Sequence, residues 1–260
     1  MCLIVFAWQV LPNMPLLAAG NRDEFYDRPA AVADWWDDHP NVYAGRDLRG
    51  GGTWMGVTRD GRFAAITNIR APSEMRPDAP TRGRLVSDYL VGAMTPIEYT
   101  NSIAEQTAEY NGFNLLVGNQ KDLVWFSNRG DGDERNGKLL APGIYGLSNS
   151  LLDCTWPKVV RTKAQFSSLL CQGAPEEAYF EMLSDTTLAS DCRLPKTGVS
   201  LERERLLSAV CIESPDYGTR VSTLVRLQND GPPVLIERPA VAMPALVQER
   251  PHRGQCTKGF

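Results

Sequence analysis

A cysteine is the second residue of this chain, and it begins an apolar run at 2–8 that predicts a buried β-strand. If the initiator methionine is removed, Cys2 carries both a thiol and a free α-amine. A thiol becomes a strong nucleophile only after it loses its proton, and an α-amine with a pKa of about 7.7 to 8 can accept that proton. Such a residue is an N-terminal nucleophile and needs no histidine. The structural alternative is an apolar core residue, because free cysteine is often buried.

A dense polar cluster lies at the end of the second predicted strand, which covers 16–21. Its members are Asn21, Arg22, Asp23 and Glu24. If the first two strands pair as an antiparallel hairpin, this cluster lies beside Cys2. A carboxylate there could hold the α-amine, and an arginine or amide could polarise the sulfur. The structural alternative is a loop held together by its Asn and Asp side chains, with Arg22 paired to a carboxylate.

Two more asparagines, Asn68 and Asn149, lie at the ends of predicted strands. A side-chain amide at such a position can donate its N–H to developing negative charge, as an oxyanion hole requires. The structural alternative is a turn residue. The glycine run 50–52 lacks the spacing of a phosphate-binding loop.

Histidine and cysteine usage narrows the possible chemistry. His39 and His252 are the only histidines, which disfavours a Ser-His-Asp triad or a multi-histidine metal site. Either one could still ligate a haem iron singly, as could a cysteine thiolate. The six cysteines form no CxxC pair or zinc-ligand spacing, so we expect reduced thiols in a cytoplasmic protein and no metal site.

Charge and hydropathy exclude several classes of protein. With 27 basic and 31 acidic residues the net charge is −4, so no nucleic-acid partner is expected. No run of about 20 apolar residues is present, and no basic segment precedes the first apolar run, so neither membrane insertion nor a secretory signal is expected. Arg82 and Arg84, with Arg70 and Arg76 nearby, form a basic cluster that is either a solvated rim or a site for an anionic ligand.

Strand and helix signals alternate along the chain. The segment 23–52 shows no period and predicts a long loop over a sheet face, with Trp35 and Trp36 as an apolar plug or lid. Asp60-Gly61 predicts a hairpin turn, and Thr95 with Glu98 predicts a helix N-cap. Strands are predicted at 2–8, 16–21, 54–59, 62–68, 113–118, 123–127, 143–149, 220–228 and 233–237, and helices at 84–93, 96–110, 157–170, 175–184 and 201–210.

This order favours an α+β fold, a four-layer αββα sandwich of two antiparallel sheets with helices on their outer faces. No repeat or convincing linker interrupts it, so a single domain over 1–260 is expected, with an irregular Pro-rich tail from about 239.

Several short motifs together resemble the NRDE family, also called the transport and Golgi organisation protein 2 family. They run in order from residue 1 to about 240, which makes the resemblance specific. The matching residues are Cys2 and the segments 21–29, 51–56, 111–114, 146–149, 156–158 and 217–220.

The resemblance implies a fold like that of N-terminal-nucleophile hydrolases. In the bile-salt hydrolase group of that fold an N-terminal cysteine is the nucleophile, an arginine and an aspartate follow the second strand, and asparagines contact the oxyanion. Cys2 matches directly, and Asn68 and Asn149 hold similar places. In that group the arginine precedes the aspartate by three positions. Here Asn21 and Glu24 hold that spacing, and Arg22 and Asp23 lie between them.

The family is also implicated in haem trafficking and in lipid or acyl-coenzyme A homeostasis. Because the chain has no CxxCH motif, any haem cofactor would be bound non-covalently. The first hypothesis is therefore a carrier that binds haem or a similar apolar anion. Its ligand-binding residues would be Trp35, Trp36, Trp54, Arg82 and Arg220.

The second hypothesis is an N-terminal cysteine amidohydrolase or thioesterase acting on a small amide or acyl thioester such as an acyl-coenzyme A. Cys2 would attack the carbonyl, and Asn68 and Asn149 would stabilise the oxyanion. Asn21, Arg22, Asp23 and Glu24 would position the amine or the substrate. The sequence leaves the oligomeric state open.

Overall fold

The computed structural model describes residues 2–240, which form two antiparallel sheets with helices on both outer faces. The strands are β1 (Cys2–Leu11), β2 (Met14–Phe25), β3 (Ala30–Trp35), β4 (Val42–Asp47), β5 (Met55–Thr58), β6 (Phe63–Asn68), β7 (Phe113–Gly118), β8 (Leu123–Ser127), β9 (Lys138–Leu139), β10 (Gly143–Leu147), β11 (Tyr217–Leu227) and β12 (Val234–Pro239). The α-helices are α1 (Gly83–Val91), α2 (Pro96–Ala104), α3 (Pro157–Gln172), α4 (Glu176–Leu183) and α5 (Leu201–Leu206).

The strand order of the first sheet is β10-β1-β2-β11-β12, and that of the second is β3-β4-β5-β6-β7-β8-β9. The apolar run of β1 is explained by burial on both faces. Ile4 and Phe6 point into the core between the sheets, whereas Leu3 and Val5 point into a second core beneath α3 and α4. Because α1 and α2 cover the second sheet, the predicted four-layer α+β sandwich is confirmed.

The helices are held by local signals that the sequence carries. Thr95 and Glu98 form the predicted capping box at the start of α2, although α2 ends at Ala104 and not at residue 110. The first turn of α3 packs closely over β10, because a Cβ at Gly146 would lie 2.7 Å from Val159 Cγ1. In consequence, α3 begins near the end of β1 that carries Cys2.

The prediction of a long loop over 23–52 is wrong. β2 continues to Phe25 because β11 provides it with ladder partners as far as Tyr217, and β3 and β4 form within the remainder. β3 is an edge strand with most of its side chains exposed, so no alternation of apolar residues marks it. The Pro-rich tail lies outside the described residues after 240, and the single-domain organisation stays a prediction.

Candidate ligand-binding site around Cys2

An open cavity of ≈ 800 Å³ lies where the ends of the two sheets meet the segment 75–84. This volume is within the range of about 300 to 1,000 Å³ found for small-molecule sites. Cys2 from β1, the end of β2, Trp54, Ile66 and Asn68 contribute to its wall. The cavity therefore brings the candidate nucleophile together with part of the predicted polar cluster.

Cys2 is held by its backbone and opposes Arg22 in the register of β1 and β2. Its carbonyl oxygen accepts a hydrogen bond from Ser148 Oγ at 3.0 Å. Burial raises the pKa of the thiol, and the charge of Asp23 raises it further, while Arg22 and a hydrogen bond from the Asp23 backbone N–H act to lower it. The net direction is upward, so the thiol is protonated at neutral pH.

The polar cluster divides between the two faces of β2. Arg22 and Glu24 face the cavity, 3.8 Å apart between Arg22 Nη2 and Glu24 Oε2. Asn21 faces the helices and donates through Nδ2 to the carbonyl oxygens of Leu183, at 2.8 Å, and Val210, at 2.9 Å. The predicted role of Asn21 near the sulfur is thus wrong, because alternation along the strand turns its side chain towards the helix layer.

Asp23 is almost fully buried and accepts a hydrogen bond from Thr219 Oγ1 at 2.6 Å. Burial raises the pKa of its carboxyl group, and the charge of Lys158 opposes that rise. Although Asp23 lies mainly on the helix side, it also contributes to the cavity wall. It therefore links the cavity to a buried charge behind the sheet.

That buried charge, Lys158, was not predicted as a functional residue. It lies in the first turn of α3, is 2% exposed, and its Nζ has no hydrogen-bond partner among the described residues. Burial lowers its pKa to about 8, against the effect of Asp23, which raises it. The only sequence signal was a lysine in the motif at 156–158, beside the apolar Val159 and Val160.

The two asparagines occupy different places. Asn68 lines the cavity, whereas Asn149 is buried behind it and donates through Nδ2 to the backbone oxygen of Asn68 at 3.0 Å and to its Oδ1 at 3.1 Å. Since those donors are used, Asn149 does not serve as the predicted direct oxyanion contact; it orients Asn68. The amide N–H groups of Asn68 form no hydrogen bond within residues 2–240 and remain open to the cavity.

Of the three tryptophans predicted to bind a ligand, only Trp54 lines the cavity. Trp35 is partly exposed, with the Arg59 guanidinium 3.6 Å from its ring centre. Trp36 is buried and donates through Nε1 to the Ala44 carbonyl oxygen at 3.0 Å. The prediction of a plug or lid is wrong, because both rings pack on their own β3–β4 hairpin. His39 does not line the cavity, and His252 lies outside the described residues.

Arginine dominates the charge of the cavity. Among the described residues, eight arginines line it against four carboxylates, an excess of four positive charges in a chain whose net charge is −4. The arginines are Arg22, Arg28, Arg46, Arg49, Arg76, Arg82, Arg84 and Arg220, and the carboxylates are Asp23, Glu24, Asp47 and Glu237. The cavity is therefore suited to an anion.

The carboxylates of the cavity already have partners. Asp47 Oδ2 lies 2.7 Å from Arg28 Nη2, and Glu24 lies between Arg22 and Arg28. Glu237 on β12 accepts the backbone N–H of Ala33 at 3.0 Å, which joins the edge strands of the two sheets. The carboxylates thus offset the charges of Arg22 and Arg28 on the sheet side of the cavity, and not those of the arginines in the segment 75–84.

A β-bulge brings Arg220 to this site. β11 pairs Thr219 with Asp23 and Val221 with Arg22, so Arg220 is the extra residue. Its Nη1 donates to the carbonyl oxygens of Phe25 and Arg28. The sequence-predicted basic cluster is divided: Arg76, Arg82 and Arg84 line the cavity, whereas Arg70 is buried elsewhere and pairs with Glu204 at 2.6 Å.

Residues 2–240 contain neither a cluster of metal-ligating side chains nor a membrane-spanning helix. No group of three or more His, Cys, Asp or Glu side chains is placed to hold a metal ion. In the same part of the chain, no helix has both the length and the apolar character to cross a membrane.

Among solved structures, the chain is similar to a Caenorhabditis elegans N-acylethanolamine-hydrolysing acid amidase orthologue. The two are 14% identical, with a TM-score of 0.44 over 86% of this chain and 92% of that one.

Similarity to proteins of known sequence is stronger. The chain is 34% identical over 259 residues to the Bos taurus transport and Golgi organization protein 2 homolog, covering 92% of each chain. It is 32% identical to the Homo sapiens homolog, again over 92% of each, and 28% identical to the Drosophila melanogaster protein over 91% of each. A family model described as transport and Golgi organisation 2 matches residues 1–241. The chain belongs to the transport and Golgi organisation 2 family.

Proposed function

We propose that this protein binds and carries a small amphipathic anion in the cavity beside Cys2, with haem as the first ligand to test. The observation that carries this proposal is the cavity of ≈ 800 Å³ lined by eight arginines and four carboxylates. Arginine pairs with carboxylate or phosphate oxygens through two parallel hydrogen bonds. Trp54 and Ile66 supply apolar surface in the same wall, which suits the apolar part of such a ligand.

The cavity residues are better suited to bind the propionate groups of haem than to ligate its iron. Arg82 and Arg84 could hold the two propionate groups. Cys2 and Met75 are the described cavity residues of types that commonly ligate haem iron. Met75 is exposed, and the raised pKa of Cys2 makes its thiol a weak ligand. Weak ligation suits a carrier that must release its cargo, so binding would rest on arginine and apolar contacts.

Titrating haem into the protein while its Soret absorption band is recorded tests the proposal. We expect saturable binding at micromolar protein, weakened about tenfold by Arg84→Gln, since a hydrogen bond to a charged group contributes about 1.5 to 3 kcal/mol. Cys2→Ala should shift the band and leave most of the affinity. Cys171→Ala, which changes an exposed cysteine outside the cavity, is the matched control. An absence of saturation contradicts haem binding.

A second candidate function is the N-terminal cysteine hydrolase, favoured by the position of Cys2 opposite Arg22 in a cavity wall that also contains Asn68. After removal of Met1, the α-amine would accept the thiol proton as the sulfur attacks an amide or thioester carbonyl. The amine would then return this proton to the leaving group, and water would release the acid. Asn68 would donate to the oxyanion.

Intact-mass analysis followed by an assay with p-nitroanilide and acyl-thioester substrates tests the hydrolase. The mechanism requires a mass without Met1 and turnover that Cys2→Ala abolishes. A native protein that keeps Met1 rules it out, because a blocked amine cannot act as the base. The cytoplasmic location stays a prediction and can be checked by imaging the tagged chain.

A further inference from the structure

Two arginines of the segment 75–84 are oriented by backbone carbonyl groups. Arg76 Nη2 donates to the Ala108 carbonyl oxygen at 2.8 Å, and Arg82 Nη1 donates to that of Gly112 at 3.0 Å. Asn111, between those two acceptors, also binds the backbone of Arg76, accepting its N–H at 2.9 Å and donating to its carbonyl oxygen at 2.9 Å. One short segment, 108–112, therefore fixes both guanidinium groups.

A carbonyl oxygen orients a guanidinium group without neutralising it. Within residues 2–240, Arg76, Arg82 and Arg84 form no ion pair with a carboxylate, unlike Arg28 and Arg46, whose charges are offset by Asp47 and Asp38. The excess positive charge of the cavity is thus concentrated on its solvent side. Like charges held together cost free energy, so a bound anion there would relieve repulsion as well as form hydrogen bonds.

The exposure of the three arginines indicates how a bound ligand would be oriented in the cavity. Arg76 and Arg84 are exposed, while Arg82 is half-buried and lies near Cys2. Thr81 also lines this wall and precedes Arg82, and α1 begins at Gly83, between Arg82 and Arg84. A ligand held by its charged end here would extend inward, towards Trp54 and Cys2.

We infer that Arg76, Arg82 and Arg84 form a preorganised subsite for a multiply charged oxyanion, either a phosphate group or a pair of carboxylates, at the charged end of the ligand. The inference rests on the proposed function and narrows it. It assigns the charged end to the solvent side and the apolar end to the Cys2 side. The subsite binds oxyanions on their own, because two of its three arginines, Arg76 and Arg82, are already held in place by backbone carbonyl groups.

Isothermal titration calorimetry of the full chain with sodium pyrophosphate, and separately with succinate, tests the subsite at constant ionic strength. We expect saturable binding of at least one anion, weakened about tenfold or more in Arg76→Gln/Arg84→Gln, since two charge-assisted hydrogen bonds are lost. Tighter binding of pyrophosphate assigns a phosphate group, and tighter binding of succinate assigns paired carboxylates. Arg84→Gln alone changes an exposed side chain outside any described hydrogen bond, so it tests the subsite without a folding risk.

The matched control is Arg193→Gln/Arg203→Gln, which removes the same charge from exposed arginines outside the cavity. It should keep the wild-type affinity within about twofold, since screened charges at a distance contribute little. The inference is overturned if neither anion saturates the protein below about 10 mM, or if both double variants weaken binding equally. Haem titration of the same samples separates the proposals: haem binding without oxyanion binding removes only the subsite, and loss of both removes the carrier function too.

Discussion

Removing the buried charge pair behind Cys2 should stabilise the protein. The double variant Asp23→Asn/Lys158→Met replaces both groups with neutral side chains of similar size. Lys158 Nζ is buried without a hydrogen-bond partner in the described chain, and Asn can still accept the hydrogen bond that Thr219 donates to Asp23. Replacing a buried ion pair with neutral groups is often stabilising by about 1 to 4 kcal/mol.

The pKa of Lys158 sets the magnitude. Burial lowers it from 10.5 to about 8. Each pKa unit corresponds to about 1.36 kcal/mol, so a charged Lys158 costs the folded state about 3 kcal/mol at pH 7 relative to a neutral amine. The double variant should gain free energy of unfolding of that order. Asp23→Asn alone should cost at most about 1 kcal/mol through Lys158 at pH 7, because the amine can then lose its proton.

The sign of the pH dependence follows from the lowered pKa. The unfolded state binds the lysine proton more tightly, so wild-type stability is reduced in full below pH 8 and recovers as pH rises from about 8 to 10.5. The advantage of the double variant should therefore shrink over that window. Urea unfolding of both proteins at several pH values measures it.

Lys163→Met is the matched control. Lys163 lies on the same helix, is partly exposed, and pairs with Asp153 at 2.7 Å. Its replacement should change the free energy of unfolding by no more than about 1 kcal/mol, as for other exposed ion pairs. A double variant that is less stable than the wild type at pH 7, or whose advantage is the same at pH 8 and pH 10.5, would refute the reasoning.

Three further predictions concern the hydrogen bonds of Asn21, the cap of α2 and the reactivity of the Cys2 thiol. Asn21→Ala should lower the free energy of unfolding by about 2 to 4 kcal/mol in urea titration, because the carbonyl oxygens of Leu183 and Val210 lose their donor. Thr95→Ala should remove the capping box of α2 and cost about 1 kcal/mol, measured by thermal unfolding followed by circular dichroism, whereas an unchanged melting temperature contradicts the cap. At pH 7.5 iodoacetamide should label Cys2 more slowly than the exposed Cys171, since its pKa is raised and its thiol buried; equal rates by peptide mass spectrometry contradict this.

Much of the fold could be predicted because its strands and turns carry local signals. The hairpin of β5 and β6, the pair β7 and β8, and the cap of α2 are confirmed within a residue or two. The segment 23–52 was missed because the end of β2 depends on a distant partner and β3 is an exposed edge strand without apolar alternation. A strand whose ladder is supplied by β11, some two hundred residues later, leaves no periodic pattern of its own.

The site was predicted in part for the same reason. Cys2 and Arg22 were predicted to lie side by side because a hairpin places strand ends together, and the structure confirms their register. Asn21 was misassigned because one residue of alternation decides the face of a strand, and the predicted strand ended at Asn21, so the faces of the residues after it were not predicted. Lys158 was missed because burial, and not residue type, makes it unusual. Neither burial nor alternation at a strand end can be read before the partner elements are known.

The hydrogen bond from Ala33 to Glu237 has a consequence for solubility. β3 is an edge strand of its sheet, and an edge strand with free N–H groups can pair with a strand from another molecule. Glu237 of the other sheet binds the backbone of β3 at the irregularity between Ala31 and Asp34, where the ladder to β4 is interrupted, and so holds this edge strand against the rest of the protein. A residue of the cavity wall thus also guards the protein against edge-to-edge aggregation, and Glu237→Ala should raise light scattering at high protein concentration.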